Sequence, residues 1–132
     1  MKYAYPAIFT EEDGAILVSI PDLPGAHSFG EDLTEAANMA KDAAETWLDH
    51  MEKARRPVPS ASTFSEIEAK KENANSFVNY IFADTDEFRR KNDCRAVKKT
   101  LSIPAWLNYK AVEANAPFSQ ILQEGLKKYL NI

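Results

Sequence analysis

Cysteine occurs once in the chain, at Cys94, which excludes an internal disulfide framework and any cysteine-based metal-ligand spacing. The lone thiol reads as structural or incidental. Histidine is nearly as scarce. His27 and His50 have no nucleophile or ligand companion in sequence, so each reads as a surface or packing residue. No apolar run approaches the ~18 residues needed to span a bilayer. Met1 to Thr10 carry one lysine and strand-like aromatics, without the apolar core or cleavage site of an export signal. These absences place the chain in the cytoplasm, away from any membrane. Internal repeats and low-complexity tracts are missing as well, which removes repeat architectures. The 45% hydrophobic and 27% charged fractions exclude wholesale disorder.

What is present divides along the chain. At 132 residues it can hold one ordinary domain or two small ones, since domains cluster near ~100–150 residues and pieces below ~40 rarely fold alone. Residues 1–94 hold 10 basic and 18 acidic side chains, a net −8, while residues 95–132 hold 6 and 2, a net +4. An acidic body with a basic tail points to two partners of opposite sign, one cationic and one polyanionic.

Lys2 to Thr10, with Tyr3, Tyr5, Ile8 and Phe9, reads as a strand. Glu11-Glu12-Asp13-Gly14 suits a hairpin turn that needs a positive φ. Ala15 to Ile20 is β-branched and nearly continuously apolar, as expected of a strand covered on both faces. Pro21-Asp22-Leu23-Pro24-Gly25 stops the ladder, because each proline removes a backbone donor. Ala26 to Phe29 forms a third short strand. Asp32 followed by Glu35 is a capping-box pattern. Behind it Leu33, Ala36, Ala37, Ala40, Ala43, Ala44, Trp47, Leu48 and Met51 recur at three- and four-residue steps, one apolar helix face with Asp42, Glu45, Asp49 and Glu52 mostly on the other side. Trp47 belongs to this stripe, so core packing is its expected role. Residues 55–75 read as loop with a helical turn around Phe64 to Lys70. Phe77 to Ala83 is a fourth strand. The order β-β-β-α-β predicts a small sheet with one helix across a face. Asp84 to Arg95, charged with both signs, reads as a hinge or short exposed helix, and its composition alone predicts a protease-sensitive site.

The C-terminal 96–132 segment combines a strand, Val97 to Ile103, with a helix over Pro104 to Ala114 and an amphipathic helix over Phe118 to Leu130. So small a unit cannot bury enough apolar surface alone, and its one strand has two unpaired edges. Two copies solve both problems by pairing their strands as an antiparallel ribbon. Period-two alternation then turns Val97, Leu101 and Ile103 inward, with Leu107, Ile121 and Leu122 completing the dimer core. Lys98, Thr100 and Ser102 occupy the open face, and a two-stranded ribbon fits the major groove of B-DNA. Lys99 lies among the inward positions, but its long stem reaches a phosphate. Phe118, Ser119 and Gln120 offer free backbone N–H groups at a helix start, a phosphate clamp.

The run Val97-Lys98-Lys99-Thr100-Leu101-Ser102-Ile103-Pro104-Ala105-Trp106-Leu107, followed by Phe118-Ser119-Gln120-Ile121-Leu122-Gln123-Glu124-Gly125-Leu126, resembles a ribbon-helix-helix repressor. The departure is Pro117, where such domains often have a polar cap, and proline at a first helical turn is tolerated. A strand and helical hairpin that only dimerises is the plainer alternative.

Tyr5-Pro6-Ala7-Ile8-Phe9, Glu12-Asp13-Gly14, Ile20-Pro21-Asp22-Leu23-Pro24-Gly25, Ser28-Phe29-Gly30 and the Glu35-Ala36 helix together resemble the HicB antitoxin family over residues 1 to about 52, and the strand through Asp84 also fits. The resemblance implies an α+β chain: a partial ribonuclease-H-like domain over 1–83, a linker over 84–95 and a dimeric ribbon-helix-helix domain over 96–132. It further implies a HicA-type toxin partner, small, basic and messenger-RNA-cleaving, and repression of the operon encoding both proteins through operator DNA. No cofactor is implied.

Two-metal phosphodiester cleavage needs carboxylates converging on ions ~3.5–4 Å apart. Asp13 and Asp22 flank opposite ends of one strand, too far apart to share an ion, and Asp84 completes no cluster. The domain therefore reads as a binding surface, not an enzyme, with the Asp22-Leu23-Pro24 loop among its candidate toxin contacts. Two rivals stand beside this reading: a stand-alone repressor whose N-terminal domain senses a small ligand, and a hydrolase. Homodimerisation through the C-terminal domain, with room for higher assembly, completes the expectation.

Overall fold

β1 (Lys2–Glu12) and β2 (Ala15–Ser19) are joined by Asp13 and Gly14 alone, with φ of 50° and 80°. Positive φ at both central residues is the geometry of a two-residue hairpin whose twist matches its strands. The tight turn lets Glu11 and Glu12, expected in the loop, continue β1. The computed structural model describes all residues, Met1–Ile132, as two compact units, Met1–Cys94 and Arg95–Ile132.

In the first unit β3 (His27–Gly30) adds to β2, and the four-stranded antiparallel sheet has the order β3-β2-β1-β4, with β4 spanning Ser76–Asp84. Ile8↔Ser19 and Ile8↔Val78 set the register on either side of β1. Pro6 sits mid-strand without breaking a ladder, because β2 partners β1 only from Ile8 onward. Odd positions of β1, among them Tyr5, Ala7 and Phe9, form the core with Val18 and Ile81. Phe9 stacks on Phe77 with ring centroids 5.1 Å apart. β2 is covered on one face only: Val18 is buried, whereas Leu17 is exposed. Its continuous apolar run therefore misreports a two-sided burial.

α1 (Leu33–Lys53) crosses the core face of the sheet. Asp32 caps it by accepting from Glu35 N–H at 2.8 Å, and the Glu35 carboxylate reaches back to Glu31 N–H at 3.4 Å, one residue before the cap. Ala36, Ala40 and Ala44 are buried where the helix meets the sheet. The approach is closest at Gly30, where a Cβ would stand 2.3 Å from Ala36 N, so no larger residue fits. Leu33, expected on the apolar face, is exposed, and Glu45 and Asp49, expected on the solvent side, are buried. Asp49 is covered by a helix that comes later in the chain. α2 (Phe64–Glu68), capped by Thr63, packs on β1 and β4. α3 (Thr85–Lys91), capped by Asp84, packs on α1 over Asp49. Residues 85–91 of the expected linker are thus a docked helix, and the stretch without regular secondary structure runs over 93–104.

The second unit consists of α4 (Ala105–Glu113) and α5 (Phe118–Leu130). No side chain in it is buried, and only Ala111 and Ala116 are even partly covered. Val97 to Ile103 carries no secondary structure in the single chain, since a strand requires a neighbour to bond with.

Candidate functional site

In the C-terminal unit the residues assigned to a dimer core lie open. Val97 is 82% exposed and Leu101 62%, and Ile103, Leu107, Ile121 and Leu122 are exposed as well. Trp106, Tyr109 and Tyr129 join them. So much apolar area is more than an isolated small unit usually exposes. Lys98, Lys99, Thr100, Ser102 and Ser119 are also exposed. α5 starts at Pro117 with no side-chain cap. Ile121 N–H closes the first turn on Pro117 O at 3.0 Å, which leaves the N–H groups of Phe118, Ser119 and Gln120 without helical acceptors.

The proline loop of the N-terminal unit is a different matter. Leu23 is fully buried, so its side chain is withdrawn from the candidate toxin contacts. Asp22 is occupied at home: it accepts from Ser62 N–H at 2.8 Å and Ser62 Oγ at 2.5 Å, tying the loop to the start of α2. Trp47, half-buried against the core, donates from Nε1 to Pro24 O at 3.0 Å. Pro24 and Gly25 remain exposed. The loop owes its shape to these bonds.

Charge is distributed unevenly over the same unit. At the hairpin end, Glu11, Glu12, Asp13, Glu31, Asp32 and Glu35 are exposed, and none forms an ion pair. Where α3 meets α1 the carboxylates are paired. Arg89 Nε lies 2.6 Å from Asp49 Oδ1, Arg89 Nη2 bonds Glu52, and Lys53 Nζ lies 2.9 Å from Asp49. Tyr3 donates to Glu52 at 2.5 Å and Thr85 at 3.1 Å. Burial opposes ionisation of Asp49 and Glu52. The bonds to Asp49 from Lys53 and Arg89, and to Glu52 from Tyr3, Thr85 and Arg89, outweigh it, holding both carboxyls below their ordinary range. Burial, with the bond to Glu52, pushes the Tyr3 phenol up to about 12. The helical pattern places Asp49 and Glu52 in solvent because nothing in α1 itself announces that Arg89, 40 residues from Asp49, lies across them. Thr85 and the basic run at Arg89 are the only signal of it in the sequence.

No three His, Cys, Asp or Glu side chains stand close enough to hold a metal ion. His27, His50 and Cys94 are all exposed. A concavity of about 680 Å³ is an open groove between the start of β1 and the residues after α1, lined by Tyr3, Tyr5, Arg55 and Arg56 among others. No helix is long and apolar enough to cross a membrane.

Against known proteins, residues 5–117 match the family described as HicB_like antitoxin of bacterial toxin-antitoxin system. Antitoxin HicB 2 of Photorhabdus laumondii is 37% identical over 62 residues, 47% of this chain and 45% of that protein, so the match spans less than half the length of that curated relative. A toxin-antitoxin complex from Streptococcus pneumoniae contains a chain of similar fold, with a TM-score of 0.59 at 23% identity, covering 98% of this chain and 99% of that one. The antitoxin HicB of Burkholderia pseudomallei gives a TM-score of 0.55 at 24% identity, covering 97% and 96%.

Proposed function

The chain belongs to the HicB-like antitoxins of bacterial toxin-antitoxin systems, and from that premise we propose that it binds and inhibits a HicA-type messenger-RNA-cleaving toxin and represses its own operon by binding operator DNA. The N-terminal unit neutralises the toxin and the C-terminal unit, as a ribbon-helix-helix dimer, reads the DNA. The observation that carries the DNA half is the exposed apolar surface of Arg95–Ile132, a unit with no buried residue and a net positive charge. A second copy supplies the missing core. Pairing of the two Val97–Ile103 segments leaves Lys98, Thr100 and Ser102 on the face that enters the major groove. Lys99 and the uncapped α5 start at Ser119 hold phosphates on either side.

For the toxin half, the unpaired carboxylates at the hairpin end supply a negative field that speeds encounter with a cationic partner and stands in for the phosphates such a partner would otherwise hold. Pro24 and Gly25 are the exposed part of the neighbouring loop available for contact. The groove beside β1 is open, which disfavours a small-ligand sensor, since such pockets cover most of their ligand.

Lys98→Ala with Thr100→Ala tests the DNA reading. Removing a side chain that bonds a base edge costs roughly 1–3 kcal/mol, so mobility shift on the chain's own promoter should show roughly tenfold or greater weakening, with the mass in sedimentation unchanged. Normal promoter binding by this variant contradicts the assigned strand face. Co-expression with the small basic protein of the same operon tests the toxin reading: a stable complex and rescued growth support it, and unrelieved toxicity contradicts it.

A further inference from the structure

Ala15 to Ile20 has the composition of a strand covered on both faces, yet its own chain covers only one. On the sheet face opposite α1 the strand register forms two rows. Phe29, Leu17 and Thr10 stand abreast in the first, and His27, Ser19 and Ile8 in the second. Leu17 is 40% and Phe29 63% exposed. Cross-strand partners hold their Cβ atoms ~4.5–5.5 Å apart, so the two side chains form one apolar patch. α2 packs over β1 and β4 instead, where Pro6 of the same face and Ile67 are fully buried. Beside the patch, a concavity of about 370 Å³ is lined by Ile8, Leu17, Ser19, His27 and Glu12 among others, and by no lysine or arginine. Glu12 is exposed, as is Glu31, two residues beyond Phe29, and neither forms an ion pair.

We propose that this β2–β3 patch is the seat of the cationic partner, with an apolar side chain of that partner resting on Leu17 and Phe29 and its lysines or arginines meeting Glu12 and Glu31. The partner is then the second layer that the apolar run of β2 calls for. Apolar anchors bordered by charge give an interface both affinity and fit. The unpaired carboxylates steer the approach, and removal of Leu17 and Phe29 from water holds the complex. Other surfaces of the unit suit such a partner less well. Tyr80 and Phe82 are exposed on the same sheet face, but at that end Lys2 stands opposite Asp84, which leaves no excess of negative charge. The groove at Tyr3 presents Arg55 and Arg56, both exposed, and they repel a cation. The proposal rests on the toxin reading above and adds to it the place and chemistry of the contact.

The test measures binding of the small basic protein of the same operon to the full chain, parent and variants side by side. Phe29→Ala should weaken the complex roughly tenfold or more, as truncation of an interface anchor does. Leu17→Lys should abolish it, because it sets a cation against a cationic face. Phe82→Lys, at a similarly exposed apolar position of the same sheet face, should bind as the parent does. Glu12→Gln with Glu31→Gln should slow association and flatten its dependence on salt. Circular dichroism and the unfolding midpoint should match the parent in every case, since none of these side chains is buried. A parent complex that Phe29→Ala and Leu17→Lys both form unchanged overturns the proposal and leaves the toxin reading standing. Loss of binding in Phe82→Lys, with Leu17→Lys intact, moves the contact to β4 and overturns it as well. Absence of any complex with the parent chain removes the toxin reading itself, and the proposal with it.

Discussion

Leu48 and Leu101 are the same residue with opposite fates. Leu48 is fully buried between α1 and the sheet of its own chain, and Leu101 is 62% exposed on a unit that buries nothing. The N-terminal unit closes its core with a hairpin, an alanine-lined helix and a docked α3. The C-terminal unit has the apolar residues for a core but no second layer to press them against. The first is held by contacts within the chain, whereas the proposed dimer would make stability of the second a property of its concentration. Under the proposed ribbon-helix-helix reading, DNA binding is coupled to association, because the ribbon forms only when two copies meet.

The largest expected effect breaks the comparison at its weak side. Leu101→Lys places a charge in the proposed ribbon core, so the C-terminal unit should lose its dimer and all promoter binding, while α1 and the sheet keep their thermal unfolding transition. Calorimetry beside mobility shift checks both halves. Leu48→Ala breaks the strong side. Truncation of a fully buried leucine costs about 2–5 kcal/mol, which should lower the denaturant midpoint of the N-terminal unit and leave C-terminal dimerisation in place.

Arg89→Ala sharpens the comparison at the α1–α3 junction. It removes the partner of Asp49 and Glu52, and because the guanidinium is partly exposed the expected loss is about 1–2 kcal/mol at neutral pH. The pH dependence follows from the depressed carboxyls. Their contribution is fully present above the ordinary carboxylate range and disappears as pH falls through and below it. Denaturant midpoints measured from about pH 6 to about pH 3 should therefore fall less steeply for Arg89→Ala than for the parent chain. Asp32→Ala, which deletes the α1 cap, should have the smallest effect, about 1 kcal/mol, confined to the N-terminal transition.

Much of the fold was legible because its signals are local. The Asp13-Gly14 turn, the Asp32 cap, the alanine stripe of α1 and the periodicity of Phe118 to Leu130 all depend on near neighbours. The misreadings share a cause, which is contact at a distance. Ala15 to Ile20 looks two-sided because apolar composition does not say whether a second layer arrives over Leu17. Asp49 looks solvent-facing because its cover, Arg89, comes from another helix. Leu23 looks available because a proline loop usually lies outside, whereas Trp47 and Ser62 draw this one inward. The place of β4 at a sheet edge depends on strand order, which no single segment encodes. In the C-terminal unit the two helices were legible from their local pattern, whereas the expected strand over Val97 to Ile103 carries no secondary structure in the single chain, because no segment of the sequence supplies its neighbour.

Hydrogen exchange on the full chain, followed as it is diluted from micromolar to nanomolar, compares the two units in one sample. Amides of α1 should keep their protection at every concentration, while those of Val97–Ile103 and α5 lose theirs together as the dimer dissociates. Protection of the C-terminal amides that does not change with dilution would contradict the account, because it would mean that Arg95–Ile132 holds its structure without a second copy.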